Sequence, residues 1–203
     1  MVDTYQTLTE LSHDHQKGKD FEILTGNEEH PDIALLAIHG GWIELGTEEI
    51  VKALAGDEFA YYIFAGRKPS DNRDLHITTT HFDDPLAQKM VKQAKISLSF
   101  HGCSDENCRS IDIGGGNDEL TKKFYEHCKT KAESLGIDFT YRQVFPGEEA
   151  DNIINLNTTG IQMEIPRWFR EKLLQDQTLF TTLVEHLKSY LLQNLHQPSN
   201  DIQ

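Results

Sequence analysis

Positive charge is scarce in this chain. Nineteen Lys and Arg stand against 33 Asp and Glu in 203 residues, a formal net charge of −14. Binding nucleic acid requires a basic face for phosphate, so this balance argues for no nucleic acid partner and disfavours anionic membranes. Long apolar runs are missing as well, and none approaches the ~20 residues of a membrane helix. The first twenty residues are polar and acidic with no apolar h-region, which predicts a protein made in the cytoplasm without a signal peptide. Cysteine is sparse: Cys103, Cys108 and Cys128. An odd count in a reducing compartment reads first as free thiols, with a small Cys103–Cys108 disulfide or a metal site as alternatives. There is no Gly-x-Ser-x-Gly elbow, which removes a serine-hydrolase reading of the chain.

What is present is an alternation of short apolar segments with helical ones. Strands are expected at Phe21–Leu24, Ile33–His39, Glu58–Ala65, Ile96–Phe100, Ile137–Val144 and Gly160–Ile165, with a short edge strand at Leu75–Thr78 and a strand end or glycine turn at Ile111–Gly116. Helices are expected around Thr4–Leu11, Glu48–Ala55 capped by Thr47, Asp84–Ala94, Asn117–Leu135 and Arg167–Leu195. Asp84-Pro85 is a capping aspartate followed by proline at the first helical position. The alternation predicts an α/β fold, a single-domain mixed, mostly parallel sheet flanked by helices. Its expected organisation is a polar lead-in over 1–20, one domain over 21–196 and a frayed tail over 197–203.

The most informative stretch is Ile38-His39-Gly40-Gly41-Trp42-Ile43-Glu44. A doubly buried strand runs into a histidine and two glycines, and a glutamate follows five residues after that histidine. Open α/β sheets gather function at the carboxyl ends of strands. A second strand ends in His101-Gly102, and a third carries Glu164 just before Pro166. Two histidines and a carboxylate, His39, Glu44 and His101, are a catalytic zinc set that leaves a fourth position for water. Glu164, outside that set, is the candidate general base. The alternatives are a hydrogen-bonded loop histidine, a solvated Glu44, and a Glu164 that merely pairs with Arg167 or Arg170. Arg67, Asn72 and Arg73 lie between the two histidine strands and suit a carboxylate. Arg167 and Arg170 share a helix face. His13, His15, His30, His127, His186 and His196 read as surface residues, and for His76 and His81 the same bland reading is preferred to pocket lining.

The residues Ile38 to Glu48, Asp71-Asn72-Arg73-Asp74-Leu75-His76-Ile77-Thr78, Ser99-Phe100-His101-Gly102 and Gln162-Met163-Glu164-Ile165-Pro166 together resemble the phage-type poly-γ-glutamate hydrolase family. That family is similar in architecture to the zinc carboxypeptidases. The resemblance implies one Zn2+ per chain on His39, Glu44 and His101, with Glu164 as catalytic base. Asn72 and Arg73 would bind the substrate carboxylate, and an arginine such as Arg73 would assist the oxyanion. The His39–Glu44 spacing is longer than the two-residue gap usual in carboxypeptidases. The implied activity is hydrolysis of γ-glutamyl amide bonds in poly-γ-glutamate, stripping a capsule outside the cell after lysis or release. Arg67, Lys68, Arg73, Arg167 and Arg170 are expected to gather against this anionic substrate, and a monomer is implied. A zinc deacylase of a small N-acyl amino acid and a non-catalytic polymer-binding protein are the competing readings.

Overall fold

The computed structural model describes residues 3–195. Seven strands form one sheet: β1 (Phe21–Gly26), β2 (Ile33–Gly41), β3 (Ala60–Gly66), β4 (Ile96–Cys103), β5 (Ile111–Gly114), β6 (Phe139–Tyr141) and β7 (Gly160–Pro166). Their order is β1-β3-β2-β4-β7-β5-β6. The ladders joining β3, β2, β4 and β7 are parallel, as is β5–β6, while β1–β3 and β5–β7 are antiparallel. The mixed, mostly parallel α/β sheet expected from the sequence is the one observed.

Alternation along β2 explains why it lies at the centre. Ile33, Leu35 and Ala37 enter one core, and Ala34, Leu36 and Ile38 enter the other. A strand apolar at every position is stable only when both faces are covered. The first face is covered by α2 (Thr47–Ala55), α4 (Asp118–Lys129), α5 (Ala132–Leu135), α6 (Arg167–Gln175) and α7 (Gln177–Leu195). The second is covered by α1 (Leu8–Asp14), α3 (Pro85–Gln93) and Ile153–Ile154. Each large apolar side chain buried in this way contributes ~1.5–3 kcal/mol.

β4 and β7 are different. Ile96, Leu98 and Phe100, with Ile161, Met163 and Ile165, supply the helix-covered core. Period 2 therefore turns Ser97, Ser99, His101, Gln162 and Glu164 to the opposite face. The two strands pair Ser99 with Gln162 and His101 with Glu164.

Several expected boundaries move. The first helix starts at Leu8, because Thr7 accepts the Glu10 N–H and caps it there. Thr47 lies inside α2 and is not its cap; Gly46 precedes it in the left-handed region, and the Thr47 hydroxyl turns back to Glu44 O. Residues 117–135 break into α4 and α5, and 167–195 into α6 and α7 around Asp176. Leu75–Thr78 is not a strand: a 3₁₀ turn spans Asn72–Leu75, and the next residues cross the end of β2. Of Ile137–Val144 only Phe139–Tyr141 pairs. Cys103 and Cys108 form a disulfide, correcting the free-thiol expectation, and Cys128 is free and buried. Their chain separation of 5 lets β4 and the loop after it bring the two Cα atoms to 6.0 Å. The segment ahead of residue 21 packs Leu8 and Leu11 into the second core. The tail 197–203 and His196 lie outside the described residues.

Candidate metal centre

A β-bulge makes the site. Ala37 pairs with Ile63, but Gly40 pairs with Ala65, so β2 spends three residues where β3 spends two. Without the bulge, His39 would share the face of Leu35 and Ala37 and enter the helix-covered core. The extra residue reverses that parity and aims the side chain at the other face. There His39 Nε2 meets Ile77 O at 2.9 Å. A carbonyl only accepts, so Nε2 carries the proton and Nδ1 presents its lone pair.

Two further donor groups converge on that lone pair. His39 Nδ1 is 3.1 Å from His101 Nδ1 and 3.2 Å from Glu44 Oε2, and His101 Nδ1 is 3.9 Å from the same oxygen. A tetrahedral zinc with ligands at ~2.0–2.1 Å spaces its donors ~3.3 Å apart. Two edges of the triangle, at 3.1 and 3.2 Å, match that spacing and the third is longer at 3.9 Å, so the residues fit the ion with a small shift of His101 or Glu44. Glu44 reaches the centre because its N–H donates to His39 O at 2.9 Å, closing the Gly40–Gly41 turn. The Gly102 N–H donates to Glu44 Oε2 at 2.7 Å and fixes the carboxylate. A Cβ at Gly102 would run into the Arg170 guanidinium, which explains a glycine beside His101.

The electrostatics give two carboxylates opposite characters. Burial alone would raise Glu44, but the imidazoles of His39, His101 and His76 outweigh it and hold the group at about 2. Burial, seconded by His39, lowers His101 to about 3. Both are therefore in their ligating protonation states at neutral pH. Glu164 is raised well above the usual carboxylate range by burial and by repulsion from Glu44 and Asp112, which Arg170 and Gln162 only partly relieve. Glu44 is held low and Glu164 is pushed up, the separation of two carboxylates that acid–base chemistry uses.

Hydrogen bonds orient Glu164. Asn152 accepts the Ile154 N–H and donates to Gln162 Oε1 at 3.2 Å, and Gln162 Nε2 donates to Glu164 Oε1 at 3.0 Å. The second carboxylate oxygen is left for the cleft. That cleft, of about 830 Å³, is lined by His39, Glu44, His101 and Glu164 together with Arg73, Arg167 and Arg170.

The expected cationic cluster divides. Arg73 is half exposed on the cleft wall, its Nη1 3.9 Å from Glu44 Oε1. Arg167 is exposed at the rim and bonded to Glu171. Arg170 is buried, donating to Ile165 O and Leu45 O, and braces the metal loop from behind. Arg67 and Asn72, expected on the substrate, are committed elsewhere. Arg67 is clamped by Glu48 through both terminal nitrogens at 2.8 Å and by Glu22 through Nε at 2.8 Å. Asn72 folds back on Lys68, accepting from its N–H and donating to its carbonyl. Both lie outside the cleft lining because intramolecular partners already satisfy them.

Three residues outside the expected set also shape the site. His76 is not a bystander: its ring stacks on His39 at 3.9 Å between centroids. Gln162 could have been found from Glu164 by period 2. Asp112, an acid between two isoleucines in β5, holds the cleft wall by accepting the N–H groups of Gln143, Val144 and Phe145. His186, expected on the surface, is buried and stacks on His127 at 4.0 Å.

Comparison with known proteins agrees with this geometry. The profile of the family described as poly-gamma-glutamate hydrolase matches residues 5–196. The UPF0714 protein YndL of Bacillus subtilis (strain 168) is 36% identical over 177 residues, 84% of this chain and 67% of that protein. A bacteriophage poly-gamma-glutamate hydrolase superimposes with a TM-score of 0.84 at 28% identity, covering 95% of this chain and 98% of its own. YndL in its zinc-free apo form superimposes with a TM-score of 0.82 at 30% identity, covering 97% and 100%. A metallo-carboxypeptidase from Pseudomonas aeruginosa shares the fold at a TM-score of 0.50 and 14% identity, over 88% of this chain and 62% of its own. The chain belongs to the poly-gamma-glutamate hydrolase family.

Proposed function

We propose that this protein is a zinc-dependent hydrolase of the γ-glutamyl amide bonds of poly-γ-glutamate, with one Zn2+ held by His39, Glu44 and His101. The observation that carries the reading is the convergence in one cleft of His39, Glu44 and His101 with Glu164, which pairs with His101 across the β4–β7 ladder. When bound, zinc supplies Lewis acidity to a carbonyl oxygen and lowers the pKa of water toward neutrality. Glu164 takes a proton from the attacking water and returns it to the leaving amine nitrogen. Gln162 and Asn152 hold it so that its free oxygen faces the cleft.

The family match supports the substrate class, and arginines in the cleft are compatible with it. A γ-linked polymer keeps an α-carboxylate on every unit, so it is a polyanion. The cleft lining sets Arg73, Arg167 and Arg170 against Glu44, Glu149 and Glu164, so a bound Zn2+ would leave it net positive in a chain of net charge −14. Arg73 is free to meet an α-carboxylate or the developing oxyanion, and Arg167 to meet a neighbouring unit. A monomer acting outside the cell on capsule polymer, after lysis or release, fits this chemistry.

The test measures zinc content and product size from poly-γ-glutamate for wild type and Glu164→Ala. Zinc-bound wild type should release short γ-oligomers, and the variant should keep its zinc and release none. Full activity after chelation would overturn the reading.

A further inference from the structure

The ring of His39 is held by a segment that belongs to no strand. Residues 76–78 lie outside the sheet pairing and cross the end of β2. Ile77 O accepts the Nε2–H of His39, and His76 covers one face of its ring. Ile77 is buried in the second core, and the polar residues on either side of it are held by Asp3, 73 residues earlier in the chain than His76. Its Oδ1 meets His76 Nδ1 at 2.7 Å, and its Oδ2 accepts the Thr78 N–H at 2.6 Å and the Thr78 hydroxyl at 2.7 Å. The carboxylate thus grips the residues on both sides of Ile77. A carboxylate only accepts, so His76 Nδ1 carries the proton and the imidazole plane is fixed.

We infer that Asp3 is a positioning residue of the metal site, acting through His76 and Ile77 to hold the His39 ring as a ligand. The inference rests on reading His39, Glu44 and His101 as the metal ligands. Ligating histidines depend on the partner of their other ring nitrogen, and losing such outer partners costs 10–100-fold in metal affinity as an order of magnitude. Here the partner is a backbone carbonyl on a segment without ladder hydrogen bonds, so its exact position depends on the packing of Ile77 and on the Asp3 carboxylate.

The test is zinc affinity, read by competition with a chromophoric chelator, for the full chain, Asp3→Ala, His76→Phe and the double variant. His76→Phe keeps an aromatic face on His39 but cannot be gripped by Asp3, so it serves also if Asp3→Ala does not fold. Asp3→Ala should raise the zinc Kd roughly 10–100-fold, His76→Phe should raise it less because Thr78 stays gripped, and the double variant should bind about as Asp3→Ala does. Wild-type affinity in Asp3→Ala would overturn the inference while leaving the proposed function standing. So would losses that multiply in the double variant. A wild type that takes up no zinc would overturn both.

Discussion

Nδ1 of His39 and Nδ1 of His101 stand 3.1 Å apart although 62 residues separate them. Two imidazole lone pairs at that distance repel unless a proton or a cation lies between them. Glu44 Oε2, 3.2 Å from the first and 3.9 Å from the second, adds negative charge on the same side. The arrangement favours a cation, and binding to the native state alone stabilises that state by mass action, by ~2.7 kcal/mol at a hundredfold excess over Kd. Zinc should therefore raise Tm, a chelator should reverse the rise, and His101→Ala should abolish it. Calorimetry with and without zinc checks this, and an equal zinc response in His101→Ala would refute it.

Glu164 separates proton transfer from metal binding. Glu164→Gln preserves volume and the bond from Gln162 but cannot carry a proton. A general acid–base group contributes ~10²–10⁴ in rate. Turnover on poly-γ-glutamate should fall by about that factor, while zinc content stays at the wild-type level. A variant retaining more than about a tenth of wild-type turnover would remove Glu164 from the proton path.

Asp112 is buried opposite Glu164 in the β5–β7 ladder, and it accepts three consecutive backbone N–H groups and the Thr140 hydroxyl. Asp112→Ala leaves those donors without partners, at roughly 1–3 kcal/mol for each group that stays dry. The wall formed by Val144 and Phe145 should loosen, raising KM for the polymer. Denaturant unfolding together with KM measures both effects, and a variant as stable as wild type would contradict the anchoring role.

His186 predicts acid sensitivity away from the site. Burial lowers its pKa, an effect that His127 and Lys131 reinforce and the hydrogen bond at His127 O opposes. The folded state thus prefers the neutral ring more than the unfolded chain does. Its contribution to stability is complete above the unfolded value of ~6.5 and declines as pH falls from there through the lower folded value. His186→Phe should flatten the Tm-versus-pH curve as pH falls below about 6.5. An unchanged slope in that window would show that another group titrates there.

The sequence by itself determined the sheet's centre and the site's donor types. Apolar residues at every position of Ile33–Ile38 required burial on both faces, and alternation in Ile96–Phe100 and Gly160–Ile165 put polar residues on one side. His39, Glu44, His101 and Glu164 were legible as strand-end residues because that is where open sheets gather chemistry. The side of the sheet that His39 faces was not legible, since one bulged residue reverses parity and leaves no mark in composition. Nor was the fate of Arg67 and Asn72: whether a polar group is free depends on partners such as Glu48 and Glu22, which only folding brings within 2.8 Å. Asp3 and His76 are the extreme case. Their 2.7 Å contact spans 73 residues, and hydrogen bonding acts over ångströms of space whatever the distance along the chain.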